Sequence, residues 1–169
     1  ALAQRFAEAV RVEHPATVVL TGRCYERETV PYKAVDGAID SVSRYLTTLP
    51  LATVQKLLPD HAGLVGQVFP VLRRIEPIAR SPRPPLEKLD PIVLRTRLFA
   101  GLRDLFDKIA RSAPLVVLID DLQWSDAPTL RFVAYLARRV ADLPVLIAVS
   151  VRSGEPATVR RCTATPLSP

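Results

Sequence analysis

The chain has 169 residues, 49% of them hydrophobic and 24% charged, with a formal charge of +6; that is enough for one domain with a substantial core. No apolar run approaches the ~18 residues of a membrane helix, and the N-terminus lacks the basic-then-apolar layout of a signal peptide, so a cytoplasmic protein without a membrane partner is expected. Only four of the 23 basic residues are lysines, and the arginines form scattered pairs such as Arg73-Arg74 and Arg138-Arg139 with no aromatic-interleaved stripe, which argues against nucleic acid as a partner.

Leu2, Phe6 and Val10 lie at helical spacing among Arg5, Glu8 and Arg11, and predict an amphipathic helix over 1–13 that is already under way at Ala1. A piece is therefore expected to be missing upstream. After His14-Pro15, residues 16–21 read as a strand stopped by Gly22, followed by the polar loop Gly22-Arg23-Cys24-Tyr25-Glu26-Arg27-Glu28. Arg23 and Glu26 are candidates for the rim of a site or for a plain loop ion pair. Cys24 and Cys162 match no metal spacing and read as free thiols. His14 and His61 have no second ligand type nearby and read as surface or capping residues.

A long helical stripe from Ala34 through Val42 to Leu49 follows, closed by Pro50, then a short helix at 51–58 and one or two more over 61–75. Four prolines between residues 80 and 91 mark a connector. Residues 91–112 carry the longest helical pattern, with Leu94, Leu98, Phe99, Leu102, Leu105, Phe106 and Ile109 on one face. Leu115-Val116-Val117-Leu118-Ile119 is a continuous apolar run, as in a parallel strand buried on both faces, and it runs into Asp120-Asp121. Open α/β sheets hold their ligands at this end of their strands, and two acids there suit Mg²⁺. Ser125-Asp126-Ala127-Pro128 offers an N-cap with Pro in the first turn, opening a helix through Val140 on which Trp124 packs. Residues 145–151 form a third buried-strand pattern ending at Arg152, and residues 156–169 read as a disordered tail.

Strand, helices, strand, helix, strand is the alternation of a parallel α/β sheet. The first crossover is too long for one helix, so residues 33–112 are a helical insertion.

With Val18-Val19-Leu20-Thr21-Gly22-Arg23-Cys24-Tyr25-Glu26, Asp120-Asp121-Leu122-Gln123-Trp124-Ser125-Asp126 and Arg152-Ser153-Gly154-Glu155 in place, residues 1–155 resemble the AAA-type ATPase domain of STAND signalling proteins. In bacteria these are often fused to Ser/Thr kinase, adenylate cyclase or helix-turn-helix domains. The resemblance implies an incomplete P-loop NTPase three-layer sandwich, with parallel strands at 16–21, 115–120 and 145–151. It implies ATP and Mg²⁺ as cofactors. Asp120 would hold Mg²⁺ through water, Asp121 would orient the attacking water, and Arg152 would sense or stabilise transferred charge. The partners implied are ATP, an attached output domain and, in some cases, a second copy. One element of the pattern is absent: no Gly-x-x-x-x-Gly-Lys-Ser/Thr occurs in the 169 residues. By the family's order that loop would lie just before Ala1, so the chain reads as a fragment, inactive alone. The competing readings are a non-catalytic interaction module on a degenerate ATPase fold, and a DNA-binding ATPase, for which no winged-helix or helix-turn-helix segment is visible.

Overall fold

The computed structural model describes residues 2–26, 32–140 and 143–152, the side chains of Lys33 and Ala34 excepted. Residues 27–31, Cys162 and the tail expected over 156–169 lie outside them. Three strands, β1 (Val18–Arg23), β2 (Leu115–Asp120) and β3 (Val145–Val149), form one parallel sheet in the order β1-β2-β3. The apolar run of β2 occupies the centre, where both of its faces are covered. Val116 and Leu118 pack with Val19 against Ala3 and Ala7 of helix α1 (Leu2–Glu13). Leu115, Val117 and Ile119 face the opposite layer with Val18 and Leu20. Helix, sheet and helices thus make three layers, the α/β sandwich expected.

The second layer holds α2 (Lys33–Thr47), α6 (Pro91–Ser112) and α7 (Ala127–Ala137). In α6, Leu98, Leu102, Leu105, Phe106 and Ile109 recur every three or four residues and are each at most 1% exposed, the stripe an amphipathic helix turns to a core. Its start is set chemically: Asp90 accepts hydrogen bonds from the N–H groups of Ile92 (2.8 Å) and Val93 (3.3 Å), with Pro91 in the first turn. Between α2 and α6 lie α3 (Leu51–Leu57), α4 (Ala62–Val68) and α5 (Glu76–Ala79). The proline-rich segment is packed tightly here, because a Cβ on Gly63 of α4 would stand 1.9 Å from the carbonyl oxygen of Pro82.

Several boundaries differ from the sequence reading: β1 begins at Val18 rather than at residue 16, and β3 ends at Val149 rather than at residue 151. β1 runs two residues further, through Gly22 and Arg23, which pair with Ile119 and Asp120. Gly22 is not a stop: α2 crosses so near that a Cβ on Gly37 would lie 3.2 Å from Gly22 Cα and 3.1 Å from Thr21 O, and glycine permits that approach. Helix α7 ends at Ala137 rather than Val140. The outer edge of β1 is partly closed by side chains, with Arg11 donating to Val19 O (3.5 Å) and Ser41 Oγ accepting from Thr21 N–H (3.4 Å). Among the described residues β3 has a strand on one side only, and Leu146 is 43% exposed. No helix among them is long and apolar enough to cross a membrane.

Candidate active site

The parallel register brings the C-terminal ends of all three strands to one level. Arg23 of β1 stands opposite Asp120 of β2, and Ile119 stands opposite Val149 of β3. Backbone bonds continue past the strands, from Cys24 N–H to Asp120 O (3.0 Å), Ser150 N–H to Ile119 O (3.0 Å) and Leu122 N–H to Ser150 O (2.9 Å). The two carboxylates named from the sequence therefore sit on a rigid ledge.

Asp120 ends β2 and its side chain is 20% exposed. Its Oδ1 accepts a hydrogen bond from Ser150 Oγ, while Oδ2 lies 4.0 Å from Arg23 Nε and accepts no hydrogen bond among the described residues. Asp121 takes the left-handed backbone conformation (φ 57°, ψ 42°), uncommon for a side-chain-bearing residue but tolerated best by Asn and Asp. That geometry turns the chain out of the strand and into the turn Leu122–Trp124. It also aims the Asp121 N–H at Ser150 Oγ (2.9 Å). Ser150 thus holds both acids at once, donating to the first and accepting from the second.

The Asp121 carboxylate is densely partnered. Arg23 grips Oδ2 with Nη2 (3.0 Å) and Nε (3.3 Å), Gln123 donates to Oδ1 (3.1 Å), and Arg152 Nε is 3.6 Å from Oδ1. Burial works to raise the carboxyl pKa. The hydrogen bonds from Gln123 and Arg23, with the charges of Arg152 and Arg23, outweigh it and hold Asp121 below the usual carboxylate range. Arg23 is raised in turn, chiefly by its hydrogen bond to Asp121. Arg152 is exposed, its backbone N–H donating to Gln123 Oε1 (3.3 Å). Arg23 has Asp121 rather than Glu26 as its partner, so the loop ion pair envisaged for Arg23 and Glu26 is not formed.

Asp126, not Ser125, is the N-cap of α7. Its Oδ1 accepts from Thr129 N–H (2.5 Å), and its Oδ2 accepts from the N–H of Tyr32 (2.7 Å), which ends the loop after β1. Trp124 packs partly buried against the main core, as expected for a residue at the helix start. Beside these groups the Cys24 thiol is 3% exposed and pushed up to about 12, by burial first and then by the charges of Asp126, Asp121 and Asp120.

The site opens into a cleft of about 790 Å³ between α1, the end of β1 and α2, lined by Gln4, Glu8, Arg11, Arg23, Asp40 and Asp120 among others. No group of three or more His, Cys, Asp and Glu side chains among the described residues makes a metal cage. Mg²⁺ binds through one or two carboxylates plus phosphate and water oxygens. Asp120 fits that habit: one oxygen is oriented by Ser150 and the other is open. Ser150 and the two-way bond of Asp126 were missed in the sequence; a hydroxyl closing the third apolar run, level with the acids, was the available signal.

A family model described as an AAA ATPase domain matches residues 1–148. No curated protein and no solved structure matched the chain. The match spans β1, β2, all but the last residue of β3 and their connecting helices, including the ledge that carries Asp120 and Asp121. The chain belongs to the AAA ATPase domain family.

Proposed function

We propose that residues 1–155 form the ATP-binding and hydrolysing switch module of a multidomain bacterial signalling regulator of the STAND type. In this reading β2 is the Walker B strand and β3 the sensor strand. The observation that carries it is the convergence of Asp120, Asp121, Ser150 and Arg152 at the C-terminal end of one parallel sheet. Asp120 would hold Mg²⁺, through water, with Ser150 fixing the carboxylate's orientation. A Mg²⁺ held there would supply positive charge against the charge that develops during phosphoryl transfer. Asp121, kept ionised by its basic and amide partners, orients or polarises the attacking water. Arg152 is close enough to the acids to respond to the charge of the transferred group.

Phosphate binding in such a site comes largely from backbone N–H groups and a lysine of a glycine-rich loop. The 169 residues contain no such motif, so the reading requires a loop supplied from outside them. The chain alone should bind Mg-ATP more weakly than ~10 µM and show no measurable hydrolysis. The deciding experiment is to sequence the coding DNA upstream of the Ala1 codon. An in-frame Gly-x-x-x-x-Gly-Lys-Ser/Thr supports the switch module, and Asp120→Ala in the encoded protein should then lower ATP turnover by on the order of 10²-fold. Unrelated sequence there, or undiminished turnover in the variant, would overturn it in favour of a non-catalytic interaction module.

A further inference from the structure

We infer that Arg23 is a built-in counter-cation of this site, seated on the carboxylates in the metal-free chain and displaced when a divalent cation binds Asp120. The inference rests on the proposed metal role of Asp120 and adds a competitor to it. Arg23 and Asp120 are direct partners in the β1–β2 register, and both line the same cleft. The guanidinium grips Asp121 Oδ2 through two nitrogens and stands 4.0 Å from the open oxygen of Asp120. A monocation there offsets one of the two carboxylate charges, but it repels a dication approaching the same oxygen. It also occupies the Asp121 oxygen that an attacking water would need.

Arg23 can release the carboxylates into water. Its side chain is 49% exposed, and its guanidinium carbon already lies 5.6 Å from the centre of the Tyr25 ring while it is bonded to Asp121, a cation–π contact that coexists with the ion pair. Displacement therefore needs a change of side-chain rotamer and no movement of the strand, whose backbone is held by the sheet. By contrast Gln123 and Ser150, the neutral partners of the acids, carry no charge to repel the metal and stay in place. Arg23 is thus a positioning residue: it keeps Asp121 oriented before the metal arrives, and it sets the metal concentration at which the site assembles.

The test uses the 169-residue chain and Mn²⁺ alone as the probe, with free Mn²⁺ read by electron paramagnetic resonance. Arg23→Gln should bind Mn²⁺ about tenfold or more tightly than the unaltered chain, the effect of removing one positive charge a few ångströms from a dication. Arg23→Lys keeps the charge but loses the two-pronged grip, and should give a smaller gain in the same direction. It keeps the question answerable if the glutamine variant melts abnormally. Adding Asp120→Asn to Arg23→Gln should abolish the gain. No gain in either Arg23 variant overturns the inference, while loss of Mn²⁺ binding in Asp120→Asn alone would leave the metal role of Asp120 standing. A gain that survives Asp120→Asn overturns the Asp120 reading, and the inference with it.

Discussion

Asp126 ties two distant parts of the chain, the start of α7 and the start of α2, and truncating it should be costly. One oxygen caps α7 through Thr129 N–H at 2.5 Å, and the other holds Tyr32 N–H at 2.7 Å, across 94 residues of sequence. Loss of an N-cap costs about 0.5–2 kcal/mol. Loss of a hydrogen bond to a charged acceptor costs about 1.5–3 kcal/mol. Tyr32 itself is left-handed (φ 64°), and α2 starts there with no side-chain cap of its own, so Asp126 supplies the polar tie at this junction. Asp126→Ala should therefore destabilise the domain by about 2–4 kcal/mol, allowing for overlap between the two losses, which corresponds to a fall in Tm of roughly 5–15 °C for a chain of this size. Asp126→Asn is the sharper probe. Its single carbonyl oxygen can serve only one of the two N–H donors, so it should lose about half as much. Urea unfolding followed by far-UV circular dichroism measures both. A loss below about 0.5 kcal/mol in Asp126→Ala, or equal losses in the two variants, would refute the two-oxygen clamp.

Gly63→Ala should cost at least ~2 kcal/mol by the same assay, because the new Cβ would lie 1.9 Å from a backbone oxygen that cannot rotate away; a neutral substitution would mean the proline-rich segment is not packed on α4. Ser150→Ala should lower stability by about 1–3 kcal/mol, since it strips the partner from the Asp121 N–H and one from Asp120, and a wild-type melt would refute its role as the link between them. Cys24 should resist iodoacetamide at pH 8 and be alkylated only once the chain is unfolded, as read by mass spectrometry of its peptide. Its thiol is raised from 9.0 to about 12 on folding, so the unfolded chain loses that proton first. The associated stability is complete below pH ~9 and lost as pH rises toward ~12, about 1.4 kcal/mol having gone by pH 10; rapid labelling of the native chain at pH 8 would contradict the burial.

The central strand was readable because its cause is local. Five apolar residues in succession leave no solvated face, and two acids directly after them mark the strand's end. Long helices were readable for the same reason, their stripe repeating within the helix itself. The end of β1 was not, because Gly22 is permissive: whether it stops a strand or makes room for one depends on α2, whose Gly37 lies over it. The partner of Arg23 was equally invisible, since Glu26 is three residues away in sequence and Asp121 is 98. Asp126 showed only its local half, as a capping signal; the bond to Tyr32 has no periodic trace. Local rules located the chemistry-bearing residues, and tertiary register decided which of them meet.

That register has a consequence for how the acids could influence the rest of the domain. Asp120 and Asp121 share Ser150, so a change in the charge between them reaches the end of β3 through one hydroxyl. Asp121 is followed at once by the turn Leu122–Trp124 and by Asp126, whose two bonds lead to α7 and to Tyr32. Tyr32 meets Phe69 of the insertion (6.3 Å between ring centres) and Phe99 of α6 (6.2 Å), and Phe99 meets Phe132 of α7 (5.2 Å). A continuous set of hydrogen bonds and ring contacts thus joins the strand ends to the helices between β1 and β2. Such continuity supplies a route and not by itself a coupling energy. Beside it stands the half-exposed Arg23, which touches the face of Tyr25 while bonded to Asp121 and can release the carboxylate into water without disturbing the sheet. If the site switches, the side chain that has to move first is the one whose charge a divalent cation replaces.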